Sequence, residues 1–174
     1  MEKVINNAEQ IDLSKTNILE ITKNACDVVV YHNLGNYGSI QDLLGEKGAV
    51  ILLYEMKQNF GHWVALFYTN DSRTEVEFFD SYGFAPDEEL NYAKYDNQPF
   101  LKEMIDNSKL KFIYNKSKLQ VFKEDINTCG RWTAVRIAMR NTPLQQFTSL
   151  FKNSGSKNGD WFVSALTYLF TLNN

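Results

Sequence analysis

The sequence predicts an α+β domain, with a mixed, mainly antiparallel central sheet packed on a buried central helix. Two apolar runs of strand length, Ala49–Tyr54 (AVILLY) and Trp63–Tyr68 (WVALFY), lie close together mid-chain, as strands buried on both faces do. Cys129–Arg140 (CGRWTAVRIAMR) leaves almost no polar face, so it reads as a central helix largely withdrawn from solvent. Strands gather in the middle of the chain and helices toward its end, the order expected of α+β layers.

The elements follow in order. Asn17–Asn24 reads as a short helix with Ile18, Ile21 and Thr22 on one side. Glu75–Asp80 (EVEFFD) alternates charged and apolar residues before turning apolar, which predicts one solvent-facing side. Asn70-Asp71-Ser72-Arg73 is rich in turn formers, so 63–68 and 75–80 should pair as an antiparallel hairpin. Pro99–Ser108 carries Phe100, Leu101, Met104 and Ile105 at helical spacing, and Lys111–Tyr114 is a short strand. Asn127 or Thr128 can cap the helix that starts at Cys129. Pro143 opens a helix through Lys152 with Leu144, Phe147, Leu150 and Phe151 as its stripe. Asp160 is placed to cap a last helix, Trp161–Thr171.

At 174 residues, 44% hydrophobic and 22% charged, the chain fits a single domain, 1–174, with a core large enough to need no staples. An aromatic content of 14% excludes a disordered chain. No apolar run reaches the ~18 residues of a membrane helix, and the first residues lack the apolar core of a secretory signal. Cys26 and Cys129 make no disulfide framework, which points to a reducing compartment. With two histidines and two cysteines, a His/Cys zinc site is nearly excluded, and no metal or other cofactor is expected. Residues 1–99 hold 7 basic and 16 acidic side chains, whereas 100–157 hold 11 basic and 4 acidic. The basic half could meet nucleic acid or an acidic partner. It lacks aromatic interleaving and any nucleic-acid module motif, and a solvated face is the simpler reading.

Cys129 is the candidate nucleophile. It starts a buried helix, where unpaired N–H groups and the macrodipole favour an anion. Gly130 follows, so a substrate backbone can approach the sulfur without meeting a side chain. Read singly, Cys129 is equally a small buried hydrophobe. A thiol nucleophile needs a base and a group that orients it. His62, at the mouth of the second apolar strand, suits the base better than His32, which reads as a loop or strand-end residue. In the hairpin, Asp80 would end beside His62, where a carboxylate holds the imidazole tautomer and stabilises the imidazolium. Asp80 also fits a turn ahead of Ser81-Tyr82-Gly83. The Gln120 amide, nine residues before Cys129, could join the Cys129 N–H at a developing oxyanion.

Gly61-His62-Trp63, Phe79-Asp80-Ser81-Tyr82-Gly83, Gln120 and Thr128-Cys129-Gly130-Arg131-Trp132 resemble the cysteine protease clan of the adenovirus maturation protease and the SUMO proteases. The spacings agree, with 18 residues from His62 to Asp80 and 49 from Asp80 to Cys129. The resemblance covers about residues 40–140. Cys-Gly-Arg-Trp is most similar to the maturation proteases of virophages and Polinton-type elements. It implies an adenovirus-protease-like fold, with His62 as base, Asp80 as its orienter, Cys129 as nucleophile and Gln120 as oxyanion donor. Trp63 would roof the cleft and help impose glycine near the cut bond.

The family places its Gln six or seven residues before Cys. Here either the 121–128 loop is longer or another donor, such as Asn127, replaces Gln120. The adenoviral relative also uses DNA and a peptide; overall acidity argues against the first, and no bridging cysteine beyond Cys26 is evident for the second.

The resemblance thus implies a monomeric viral cysteine endopeptidase. It would cleave capsid or core precursors at glycine-containing sites during virion maturation, in the virion and the host-cell cytoplasm. An isopeptidase for ubiquitin or a ubiquitin-like modifier fits the same site, an acetyltransferase on the triad more distantly. A binding domain with a coincidental Cys, His and Asp is the remaining alternative.

Overall fold

The computed structural model describes residues 1–58, 60–92, 98–152 and 158–171, the last three by backbone alone. Lys157, part of the basic half, lies outside them. Five strands form one sheet in the order β1-β2-β3-β4-β5: Asp27–Val30, Ala49–Lys57, Phe60–Tyr68, Glu75–Phe79 and Lys111–Tyr114. The three central strands pair antiparallel, and β1 and β5 add parallel at the two edges. The sheet is therefore mixed, and the expected 63–68/75–80 hairpin is present as β3 and β4.

Among the described residues seven α-helices surround it: α1 Glu2–Ala8, α2 Lys15–Ile21, α3 Ile40–Leu44, α4 Phe100–Ser108, α5 Cys129–Ala138, α6 Leu144–Lys152 and α7 Gly159–Thr171. On one sheet face Ile51, Leu53, Ala65, Phe67 and Phe79 pack on α5 and its neighbours. On the other, Val50, Leu52, Val64, Leu66 and Phe78 meet α3, α4 and the 3-10 turn Tyr31–Asn36. Period-2 alternation with both faces covered explains why β2 and β3 read as unbroken apolar runs.

Four local expectations are corrected. β4 is buried on both sides, because Glu77 is neutralised inside the core by Arg136 of α5, with Nε–Oε1 at 2.7 Å and Nη2–Oε2 at 2.8 Å. His62 lies inside β3, which starts at Phe60, instead of just before it. Neither Asn127 nor Thr128 caps α5 with its side chain; the Asn127 amide donates to Gln10 O and the Thr128 hydroxyl donates to Asp160. Asp160 does not cap α7 either, since the Trp161 N–H donates to Asn158 Oδ1 at 2.9 Å.

Asp160 instead turns inward. Its carboxylate also accepts from Trp132 Nε1 at 2.8 Å and from the Val121 N–H at 2.9 Å. One buried carboxylate thus ties the loop that carries Gln120 to the first turn of α5. Among the described residues no helix is long and apolar enough to cross a membrane.

Candidate active site

Gly61 fixes the strand that carries His62. A Cβ there would sit 1.9 Å from Tyr54 O on β2, so only glycine lets β3 run this close, beside a register shift at Glu55/Lys57. His62 is 6% exposed and Asp80 fully buried. The imidazole Nε2 lies 3.2 Å from Asp80 Oδ2. At this separation the two form an ion pair without an aligned hydrogen bond, a looseness common before substrate tightens a site.

Asp80 is held from three directions. Its Oδ1 accepts from the Tyr82 N–H at 2.6 Å, and its carbonyl accepts from the Gly83 N–H and from Asn115 Nδ2. It is both the turn former and the imidazole's partner, using one oxygen for each role. Burial is the largest influence on the His62 pKa and pushes it down. The charge of Asp80, with Cys129 as a smaller influence, outweighs it and holds the imidazole well above its ordinary value. The imidazole thus faces the carboxylate with Nε2 and shares the cleft with Cys129.

Cys129 is the first residue of α5 and only 6% exposed. With no side-chain cap, the first-turn N–H groups stay available to an anion at the sulfur's end of the helix. A cleft of about 380 Å³ opens there, lined by Cys129, His62, Gln120, Glu89 and an apolar wall that includes Phe84 and Phe122. Both cysteines are free thiols.

Gln120 is 1% exposed and anchored, accepting from Ser81 Oγ at 2.7 Å. Its Nε2 donates to Tyr82 Oη at 3.1 Å and to Ile126 O at 3.3 Å. Asn127 also lines the cleft, but its amide is engaged with Gln10. Trp63 and Gly130 are not part of the cleft wall. A Cβ on Gly130 would come within 3.2 Å of Leu13 and of Trp63, so the missing side chain makes room for core packing, not for a substrate backbone. His32, on the 3-10 turn, meets Glu55 at 3.3 Å.

A Sputnik virophage protein, "Uncharacterized protein V9", is 39% identical over 146 residues, covering 80% of this chain and 82% of its own length. The chain belongs to the V9 family. No family model matches it.

In this V9-family chain the sequence reading missed two site residues. The Tyr82 ring stacks on His62 with centroids 4.7 Å apart. Burial, then the nearby Cys129, raises the Tyr82 pKa, so its hydroxyl keeps its proton in the cleft it shares with Cys129. Glu89 Oε1 lies 3.7 Å from His62 Nε2, and burial raises its pKa too. His62, Asp80 and Glu89 offer ligand atoms within 4.8 Å of one another; a divalent cation held there would compete with the His62 proton. Tyr82 lies inside the Phe79-Asp80-Ser81-Tyr82-Gly83 motif, whereas Glu89 lies in an acidic stretch, Asp87-Glu88-Glu89, with no periodic signal to single it out.

Proposed function

We propose that this chain is a viral cysteine endopeptidase of the adenovirus maturation protease type, acting on capsid or core precursors at glycine-containing sites. The observation that carries the proposal is that Cys129 of α5 and His62 of β3 line one cleft while the buried Asp80, next after β4, lies 3.2 Å from the imidazole. The virophage origin of the V9 relative favours a viral setting.

In the proposed reaction, Asp80 stabilises a charged imidazole, which in turn stabilises the Cys129 thiolate. The thiolate attacks the scissile carbonyl carbon, and the oxyanion collects at the Cys129 N–H and Gln120 Nε2. Gln120 can serve only by exchanging its hydrogen bond to Tyr82 or Ile126 for one to the oxyanion. His62 then gives its proton to the leaving amine as the C–N bond breaks. A water, deprotonated by His62, attacks the thioester carbon and releases the acid and the thiol.

Co-expression with the cognate capsid precursor, followed by intact-mass analysis, tests this. The wild type should shorten the precursor and Cys129→Ala should leave it whole. Cleavage by the variant would refute the assignment. Labelling of Cys129 by a ubiquitin- or SUMO-derived electrophile, with the capsid precursor untouched, would move the substrate to a modifier.

A further inference from the structure

A second cavity, of about 430 Å³, lies on the other side of α5. α1, the 9–14 segment, α2, Arg131 of α5 and Tyr168 of α7 line it, with Val4, Ile11 and Leu13 as apolar walls and Asn7 and Asn17 as amides. Arg131 follows Cys129 by two positions, ~200° around the helix, so it points away from the cleft.

Arg131 is 2% exposed. Its Nη1 donates to Thr167 Oγ1 at 2.7 Å, and its Nε has no hydrogen-bond partner. No carboxylate among the described residues pairs with it. Burial alone, with no offsetting anion, pushes its pKa down to about 10. A guanidinium withdrawn from water without a counter-charge is costly, and a planar fork of donors with a free edge matches a carboxylate in two-point contact.

We infer that this cavity binds the carboxylate of a ligand carrying a short apolar chain, with Arg131 as its counter-ion. One cation borders the cavity, which suits one negative charge; a phosphate dianion would call for more. Val4, Ile11 and Leu13 would cover the apolar chain, and the two amides would bond the carboxylate's remaining lone pairs. A free organic acid and the C-terminus of a peptide share this chemistry.

Calorimetry and thermal melting on the full chain distinguish them, with hexanoate and N-acetyl-leucyl-leucine as probes and their amides as controls. The acids should bind at least tenfold more tightly than the amides and raise the melting temperature. Tighter binding of the dipeptide would assign a chain end, and tighter binding of hexanoate a free acid. Arg131→Met should erase the preference for acid over amide. Val4→Trp, at a wall position 39% exposed, should fill the mouth and weaken both acids tenfold while leaving the core intact; it decides the matter if Arg131→Met fails to fold. Equal binding of acids and amides, or acid binding unchanged in Val4→Trp, would overturn the inference. Neither readout requires hydrolysis, so the result stands apart from the fate of the protease reading.

Discussion

At the C-terminal end of α5, Arg136 is fully buried and fully answered. Its two contacts to Glu77 are joined by donations to Met139 O at 2.7 Å and Thr142 O at 2.9 Å. The guanidinium is also flanked by the Phe67 and Phe147 rings, at 5.0 and 4.8 Å. At the N-terminal end of the same helix, His62 Nε2, Asp80 Oδ2 and Arg131 Nε are all buried without an aligned partner. Buried polar groups are rarely left so. One end of the helix spends its polar atoms on the fold, and the other keeps them available. That division suits the role proposed for Cys129 at the N-terminal end.

The largest expected effect comes from breaking the N-terminal end. Asp80→Asn keeps the shape of the side chain and removes the charge that holds His62 protonated, so cleavage should slow by roughly 10³-fold or more. The melting temperature should fall below wild type as well, because the buried imidazole loses its counter-charge, so cleavage is compared per folded molecule; the Oδ1 contact to the Tyr82 N–H survives. An unchanged cleavage rate would shift the orienting role to Glu89, the other carboxylate beside the imidazole.

Breaking the C-terminal end should do the reverse. Arg136→Met leaves the fully buried Glu77 without its counter-charge, at a cost of about 3–5 kcal/mol. Chemical denaturation would read this as a lower midpoint with the same slope. Cleavage per folded molecule should hold, since Arg136 touches nothing in the cleft. The double variant Arg136→Met with Glu77→Met should recover most of the loss, because an apolar pair of similar volume leaves no orphaned charge.

The sequence carried the frame of this contrast but not its partners. β2, β3 and α5 were legible because each is apolar at strand or helix period, and the β3–β4 hairpin because its turn residues bracket two such runs. His62, Asp80 and Cys129 could be singled out because the sequence sets each close to an end of one of those elements, although His62 lies two residues inside β3 and Asp80 one beyond β4. Glu77 read as a solvent-facing charge, since alternation cannot reveal an arginine 59 residues away that neutralises it. The two arginines of α5 likewise look alike in sequence; only the tertiary contacts separate the answered one from the unanswered one. Tyr82 reaches the imidazole from a turn and Glu89 from the four-residue 3-10 helix Glu88–Asn91, both too short for a period to predict direction.

A milder way to sharpen the comparison is pH. The folded-state pKa of His62 is raised above its unfolded value, so its contribution to stability is full below about pH 6.5 and is lost as pH rises through the folded value. Melting curves from pH 5 to 9 should therefore show a decline on the alkaline side that Asp80→Asn flattens. A variant that keeps the full decline would show that another group titrates there.

The smallest effect is the most discriminating, because its sign opposes ordinary expectation. Truncating a buried arginine normally destabilises, and Arg136→Met should do so. Arg131→Met, measured with no acid present, removes a cation whose burial is offset by one hydroxyl. The thioether of similar length keeps most of the packing. Relief of the desolvation cost should then outweigh the lost Thr167 contact by about 1 kcal/mol. In a chain of this size that is an increase of roughly 2–4 °C in melting temperature. A fall comparable to that of Arg136→Met would mean that Arg131 is as well answered in solution as Arg136. The two ends of α5 would then differ in their cleft alone.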